Sequence, residues 1–250
     1  MRHGGVMDKQ RFEEACKAVA DEERSRSSIG TLSEKSVHAV LKRYFEPDAS
    51  RHEIPVGGFV ADIVSENGII EIQTRQFSRL LNKLEQFLEY SRVTVVYPIS
   101  KVRHITRIDP LTGETLSRRK SPKKGCIYDI IPELYRIKYT LDNPRLDVCI
   151  CMLETEDIRT PEVSRRNKGA SKLDCFPADL LEEIWLEKPE DYRMFLPEGL
   201  NEEFTSADLA KSAAIPRSIA QTALNLLAYL GLVEKTGKGK RNTIIYRIKN

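Results

Sequence analysis

The stretch that decides the fold is residues 61–74, "ADIVSENGIIEIQT". Two short runs with strand-like alternation flank Asn67-Gly68, the dipeptide that most strongly signals a β-hairpin. Reading Asn67-Gly68 as a two-residue loop sets Glu66 opposite Ile69, Val64 opposite Glu71 and Asp62 opposite Gln73. Side chains alternate between the faces of a strand, so Asp62, Glu71 and Gln73 share one face. Asp62 and Glu71 are then diagonal neighbours, close enough to share an ion. Phe59, Ala61, Ile63, Ile70 and Ile72 share the other face, which is expected to be buried. Glu71 lies in "IIEI", apolar on both sides. A carboxylate placed there loses water, and that loss must be offset.

The pattern extends in both directions. Upstream, residues 51–56 read as a strand ending at a Gly57-Gly58 turn, which sets Glu53 opposite Asp62. Before it, residues 31–45 read as a helix with Val37, Val40, Leu41, Tyr44 and Phe45 at helical spacing. An earlier helix is expected over 8–21. Downstream, residues 76–92 carry the stripe Phe77, Leu80, Leu81, Leu84, Phe87 and Leu88, and 93–99 read as a buried strand. Residues 101–125 read as a hairpin turning at "DPLTGE". That segment has eight Lys and Arg against two acids. Helix is expected over 127–141 and 180–188, with a buried strand at 146–154 between them.

The tail has a different pattern. A short helix capped by Thr205 or Ser206 precedes a second helix with Pro216 at its start and Gly231 just past its end. Two strands follow around a Gly/Lys loop. On the second helix Arg217, Ser218, Gln221, Thr222 and Asn225 face away from the apolar stripe, where they can reach base edges or phosphates. Lys235, Lys238, Lys240 and Arg241 surround the loop and suit phosphate contact. The tail resembles the winged helix-turn-helix family, whose members also include protein-interaction modules.

Composition limits the functional classes. The 250 residues carry a net charge of +3, so the chain is no polycation and a nucleic-acid partner must be met by local patches. No apolar run has membrane-spanning length, and the first residues lack a signal-peptide core. The scattered Cys16, Cys126, Cys149, Cys151 and Cys175 read as buried free thiols of a cytoplasmic protein.

The front of the chain resembles the PD-(D/E)xK, or restriction-endonuclease-like, nuclease superfamily. Its core runs helix, three strands, helix, strand, and the resemblance covers residues 31–99, with 146–154 as an added strand. It implies an α/β fold, a mixed sheet flanked by helices, followed here by the winged-helix tail. It also implies a Mg²⁺ or Mn²⁺ ion held by Asp62 and Glu71. Gln73 stands where lysine is usual. Glutamine carries no charge but can hydrogen-bond the attacking water, and some restriction enzymes similar to this pattern use it. Lys83, on the following helix, is the candidate for a migrated lysine. Glu34 matches the position of a helix glutamate that joins the metal in some members. It also completes a capping box with Thr31, and both readings stand.

The expected organisation is an N-terminal helical segment (1–30) and a nuclease-like domain (31–175) with a basic insertion (100–125). A helical linker (176–200) and a nucleic-acid-binding winged helix (201–250) follow. The expected function is Mg²⁺-dependent phosphodiester hydrolysis, in DNA, by a chain that can pair as a homodimer to cut two strands. The alternative is a non-catalytic DNA-binding protein or transcriptional regulator on a degenerate nuclease fold.

Overall fold

A computed structural model describes residues 7–25, 35–163 and 170–249. Glu34 and its capping-box partner Thr31 lie outside these residues. The helices are α1 (Lys9–Ser25), α2 (Lys35–Phe45), α3 (Leu81–Tyr90), α4 (Ile131–Arg136), α5 (Ser206–Ser212) and α6 (Arg217–Tyr229). The strands are β1 (His52–Val56), β2 (Phe59–Ser65), β3 (Gly68–Ile72), β4 (Val93–Ile108), β5 (Thr115–Lys120), β6 (Leu146–Val163), β7 (Ala170–Leu186), β8 (Glu203–Thr205), β9 (Val233–Lys238) and β10 (Ile244–Ile248). The main sheet runs β1-β2-β3-β4-β6-β7, with β5 paired to β4. A second sheet runs β8-β10-β9.

The chain divides into two compact units. The first comprises Met1–Gln73, Val96–Cys126 and Ile150–Ile184. Its apolar face is as the alternation predicts: Ala61, Ile63, Ile70 and Ile72 are buried. Ile69 and Glu71, which point the other way, are buried too, so β3 is covered on both faces. Helices α1 and α2 pack together, with Phe12 edge to face on Tyr44, and Ala15, Val19, Val37, Val40 and Leu41 are buried. Each fully buried aliphatic side chain contributes about 1.5–3 kcal/mol relative to exposure.

The second unit comprises Thr74–Val95, Ile127–Cys149 and Trp185–Asn250. Five of the six stripe residues around α3 are buried, with Leu81 partly exposed. Tyr128, Tyr192 and Phe195 form an aromatic cluster nearby in sequence to α4 and in the 3₁₀ run Pro189–Phe195. In the tail, Thr205 caps α5 in a capping box with Asp208. Gly231, with φ +76°, ends the turn after α6. Helices α5 and α6 pack on each other, and β8, β9 and β10 form the small sheet.

Three expectations need correction. First, residues 180–188 are not helical: 180–186 belong to strand β7. Leucine and glutamate favour helix weakly, and pairing with β6 overrides that preference. Strand β7 ends the sheet order, where Pro177 is tolerated. Second, the hairpin loop is Glu66-Asn67, because Ser65 pairs with Gly68, Val64 with Ile69 and Ile63 with Ile70. The Ser65 hydroxyl donates to the Gly68 carbonyl at 3.1 Å and accepts the Asn67 N–H at 3.3 Å. Gly68 takes the positive φ, +128°. Third, the cysteines are not uniformly buried: Cys149 and Cys151 are, whereas Cys126 is exposed.

Candidate carboxylate site

The register correction tightens the acid pair. A slip of two residues preserves the face each side chain occupies. The paired residues run as far as Ile63 and Ile70, and that register carried on by one residue sets Glu71 across from Asp62, not diagonal to it. There the backbone N–H groups turn to the two carboxylates. Each carboxylate takes a backbone N–H from the other strand. Glu71 Oε1 accepts the Asp62 N–H at 3.1 Å, and Asp62 Oδ2 accepts the Ile72 N–H at 2.8 Å. Glu71 is 0 % exposed. These bonds offset part of its desolvation, because a carboxylate out of water needs donors.

Helix α2 brings two further groups that the sequence analysis did not single out. His38 Nε2 lies 3.2 Å from Asp62 Oδ2. Lys42 Nζ donates to Glu53 Oε1 at 2.8 Å. The Lys42 hydrogen bond and charge hold the Glu53 carboxyl below the usual range, with a smaller contribution from His38, and Asp62 opposes them. His38, Lys42, Glu53 and Asp62 thus act on one another electrostatically. The available signal was spacing. His38 and Lys42 stand one turn apart, beside the apolar stripe that docks the helix on the sheet.

Glu53 is where the meander departs from regular pairing. The β1–β2 register is the expected one, with His52 opposite Ile63 and Ile54 opposite Ala61. Glu53 itself has φ +55°, a conformation that costs a non-glycine residue about 1–2 kcal/mol. Its side chain is 70 % exposed and turns to Lys42. Gln73 anchors the end of β3 through its backbone, donating to the Val96 carbonyl at 2.9 Å.

Among the described residues, no group of three or more His, Cys, Asp and Glu side chains converges as a metal centre. The pair Asp62 and Glu71 supplies two hard oxygen-bearing groups. That fits Mg²⁺ or Mn²⁺, which are often bound through one or two carboxylates with water and substrate phosphates completing the shell. It does not fit a site closed by protein ligands alone.

The other predicted residues lie in the second unit. Lys83, on α3, has its amine 5.6 Å from the centre of the Phe87 ring. On α6, Arg217, Ser218, Gln221 and Asn225 are exposed and Thr222 is half-buried. Arg217 Nε reaches the Ser206 hydroxyl at 3.5 Å. Lys235, Lys238, Lys240 and Arg241 are exposed along β9 and the turn that follows it. No helix among the described residues is long and apolar enough to cross a membrane.

Fold and site together define a mixed α/β protein with a carboxylate pair, Glu71 buried and Asp62 partly exposed beside His38 of α2. The chain belongs to the family described as Domain of unknown function (DUF8091), whose model matches residues 35–187. That span runs from α2 through β7 and contains His38, Lys42, Glu53, Asp62, Glu71 and Gln73; the helices and strands of the tail lie beyond it. A Treponema pallidum (strain Nichols) relative described as "Uncharacterized protein" is 35 % identical over 142 residues. The match covers 56 % of this chain and 56 % of the relative's length. No solved structure matches the chain.

Proposed function

We propose that the protein is a metal-dependent, nuclease-like phosphodiester hydrolase acting on DNA, with a winged-helix tail that positions the nucleic acid. The observation that carries this reading is the crossed hydrogen bonding of the two acids on β2 and β3, the Asp62 N–H to Glu71 and the Ile72 N–H to Asp62, with His38 of α2 3.2 Å from Asp62. The surrounding order is α2, β1–β3, α3, β4, the order expected of the restriction-endonuclease-like core.

Asp62 and Glu71 would hold Mg²⁺ or Mn²⁺, which when bound supplies a more acidic water and neutralises charge building on a phosphate. The protein's own groups prepare the site. The Ile72 and Asp62 N–H groups fix one oxygen of each acid. His38 holds Asp62 from the helix side and can carry a proton on Nε2. Gln73 can accept or donate a hydrogen bond to water but adds no positive charge. Lys42 neutralises Glu53 through an ion pair at 2.8 Å. The exposed basic residues of β4 and β5 suit contact with the phosphate backbone.

The rival reading is a non-catalytic DNA-binding protein. Gln73 in place of lysine favours it, as do the backbone bonds that already engage both acids. Cleavage of plasmid and linear DNA in Mg²⁺ or Mn²⁺ separates the two. The proposed activity is metal-dependent and is lost in Asp62→Asn and Glu71→Gln. Salt-sensitive binding without cleavage in either metal, unchanged in both variants, assigns the protein to the rival.

A further inference from the structure

Among the described residues, the exposed large apolar side chains include three tyrosines in one cluster. Tyr139 is 71 % exposed, Tyr229 38 % and Tyr135 37 %. The rings of Tyr139 and Tyr229 meet edge to face, 5.4 Å between centres. The Lys138 amine lies 4.6 Å from the centre of the Tyr135 ring, 4.8 Å from Tyr139 and 5.9 Å from Tyr229. All four belong to the second unit, in which α4 packs on α6.

Such a cluster is not needed to close a core. Tyr139 stays largely in water and Tyr135 and Tyr229 keep more than a third of their surface there, and grouped exposed aromatics tend to mark contact surfaces. Its position favours one class of partner. Tyr229 stands one turn beyond Asn225, so it continues the exposed face that begins with Ser218 and Gln221. Helix α6 contains no acidic residue. The tail from residue 201 to 250 carries eight Lys and Arg against four acids. Asp142 is a carboxylate whose charge reaches Tyr229, and Lys138 opposes it there. An ammonium held among aromatic faces, continuous with a helix free of carboxylates, complements phosphates flanked by flat rings. A cationic partner would be repelled.

We propose that Tyr135, Lys138, Tyr139 and Tyr229 form a stacking platform for unpaired nucleobases, so that the preferred ligand is a duplex adjoining a single strand. Aromatic rings bind bases without sequence preference because every base has a π-face. The α6 face then meets the duplex, the tyrosines stack on bases past its end, and Lys138 meets the phosphate between them. This rests on the reading of the tail as a nucleic-acid-binding element and narrows its substrate class.

The test is fluorescence anisotropy with the full chain in EDTA. It compares a blunt duplex with the same duplex carrying a thymidine overhang. The overhang is expected to bind about tenfold more tightly, the effect of stacking one or two bases. Tyr139→Ala removes that advantage and leaves blunt-duplex affinity unchanged, whereas Tyr139→Phe keeps it. Tyr139 is exposed enough that Tyr139→Ala alone tests the idea in a folded protein. Equal affinity for both DNAs overturns the platform and leaves the nucleic-acid reading standing. Binding of neither DNA overturns both. Equal affinity together with burial of the tyrosines by a proline-rich peptide overturns the proposal in favour of a protein partner.

Discussion

Glu71→Gln is expected to stabilise the metal-free protein while removing its response to metal. Gln keeps the shape of Glu71 and an oxygen to accept the Asp62 N–H. It removes one of two carboxylates that face each other across the β2–β3 pair. Directly opposed side chains are roughly 5 Å apart, and at an effective dielectric of about 20 two like charges then repel by about 3 kcal/mol. Asp62 is 19 % exposed and has His38 at 3.2 Å; water and the imidazole reduce that repulsion, to about 1–2 kcal/mol. For a chain of this size, this corresponds to a rise in Tm of about 2–8 °C. Melting in EDTA and in Mn²⁺ reads both effects. In the wild type, metal at tenfold excess over its Kd adds about 1.4 kcal/mol; in Glu71→Gln it adds nothing. A variant less stable in EDTA that still gains stability from Mn²⁺ would refute the reasoning, because Glu71 would then be a structural acceptor and not half of a repelling metal-binding pair.

Further outcomes follow from other sites. Burial raises the Asp174 carboxyl above its ordinary range, with the Ser36 hydroxyl partly opposing the shift, and among the described residues its Oδ1 has no hydrogen-bond partner. A raised folded pKa means the contribution is fully present below the unfolded value, about 4, and is lost as pH rises through the folded value. Asp174→Asn is therefore expected to flatten the fall in stability above about pH 4, measured by urea unfolding across pH. Asp147 is buried and takes two hydrogen bonds from Arg92, at 2.6 and 3.0 Å. Asp147→Ala is expected to cost about 2 kcal/mol in urea unfolding, at the low end for such a pair because Arg92 can turn to water. In the tail, Lys240→Ala or Arg241→Ala should each lower the salt dependence of DNA affinity by about one counterion. Asn225→Ala should instead change sequence preference in a binding-site selection.

The meander and its acids were legible because strand alternation and the two turns are local signals. The faces of Asp62 and Glu71 survived an error in register because a two-residue slip does not change parity. The register itself was hidden in the Ser65 hydroxyl, which gathers the Gly68 carbonyl and the Asn67 N–H and moves the loop back. Strand β7 was illegible for the opposite reason. Its Leu and Glu residues suit a helix, and only β6, far along the chain, makes them a strand. His38 and Lys42 escaped notice because their partners, Asp62 and Glu53, lie on other elements, and a lone histidine on an amphipathic helix has no motif around it. The tyrosine cluster draws its rings from two segments about ninety residues apart, brought together by the packing of α4 on α6.

The central claim is that Asp62 and Glu71 form a cation site. The most direct test is anomalous diffraction from crystals soaked in Mn²⁺, with Glu71→Gln crystals as the control. The account predicts a peak within about 2.0–2.3 Å of an oxygen from each carboxylate, present in the wild type and missing from the variant. Well-ordered Asp62 and Glu71 with no peak between them, at Mn²⁺ concentrations that fill other sites, would contradict it.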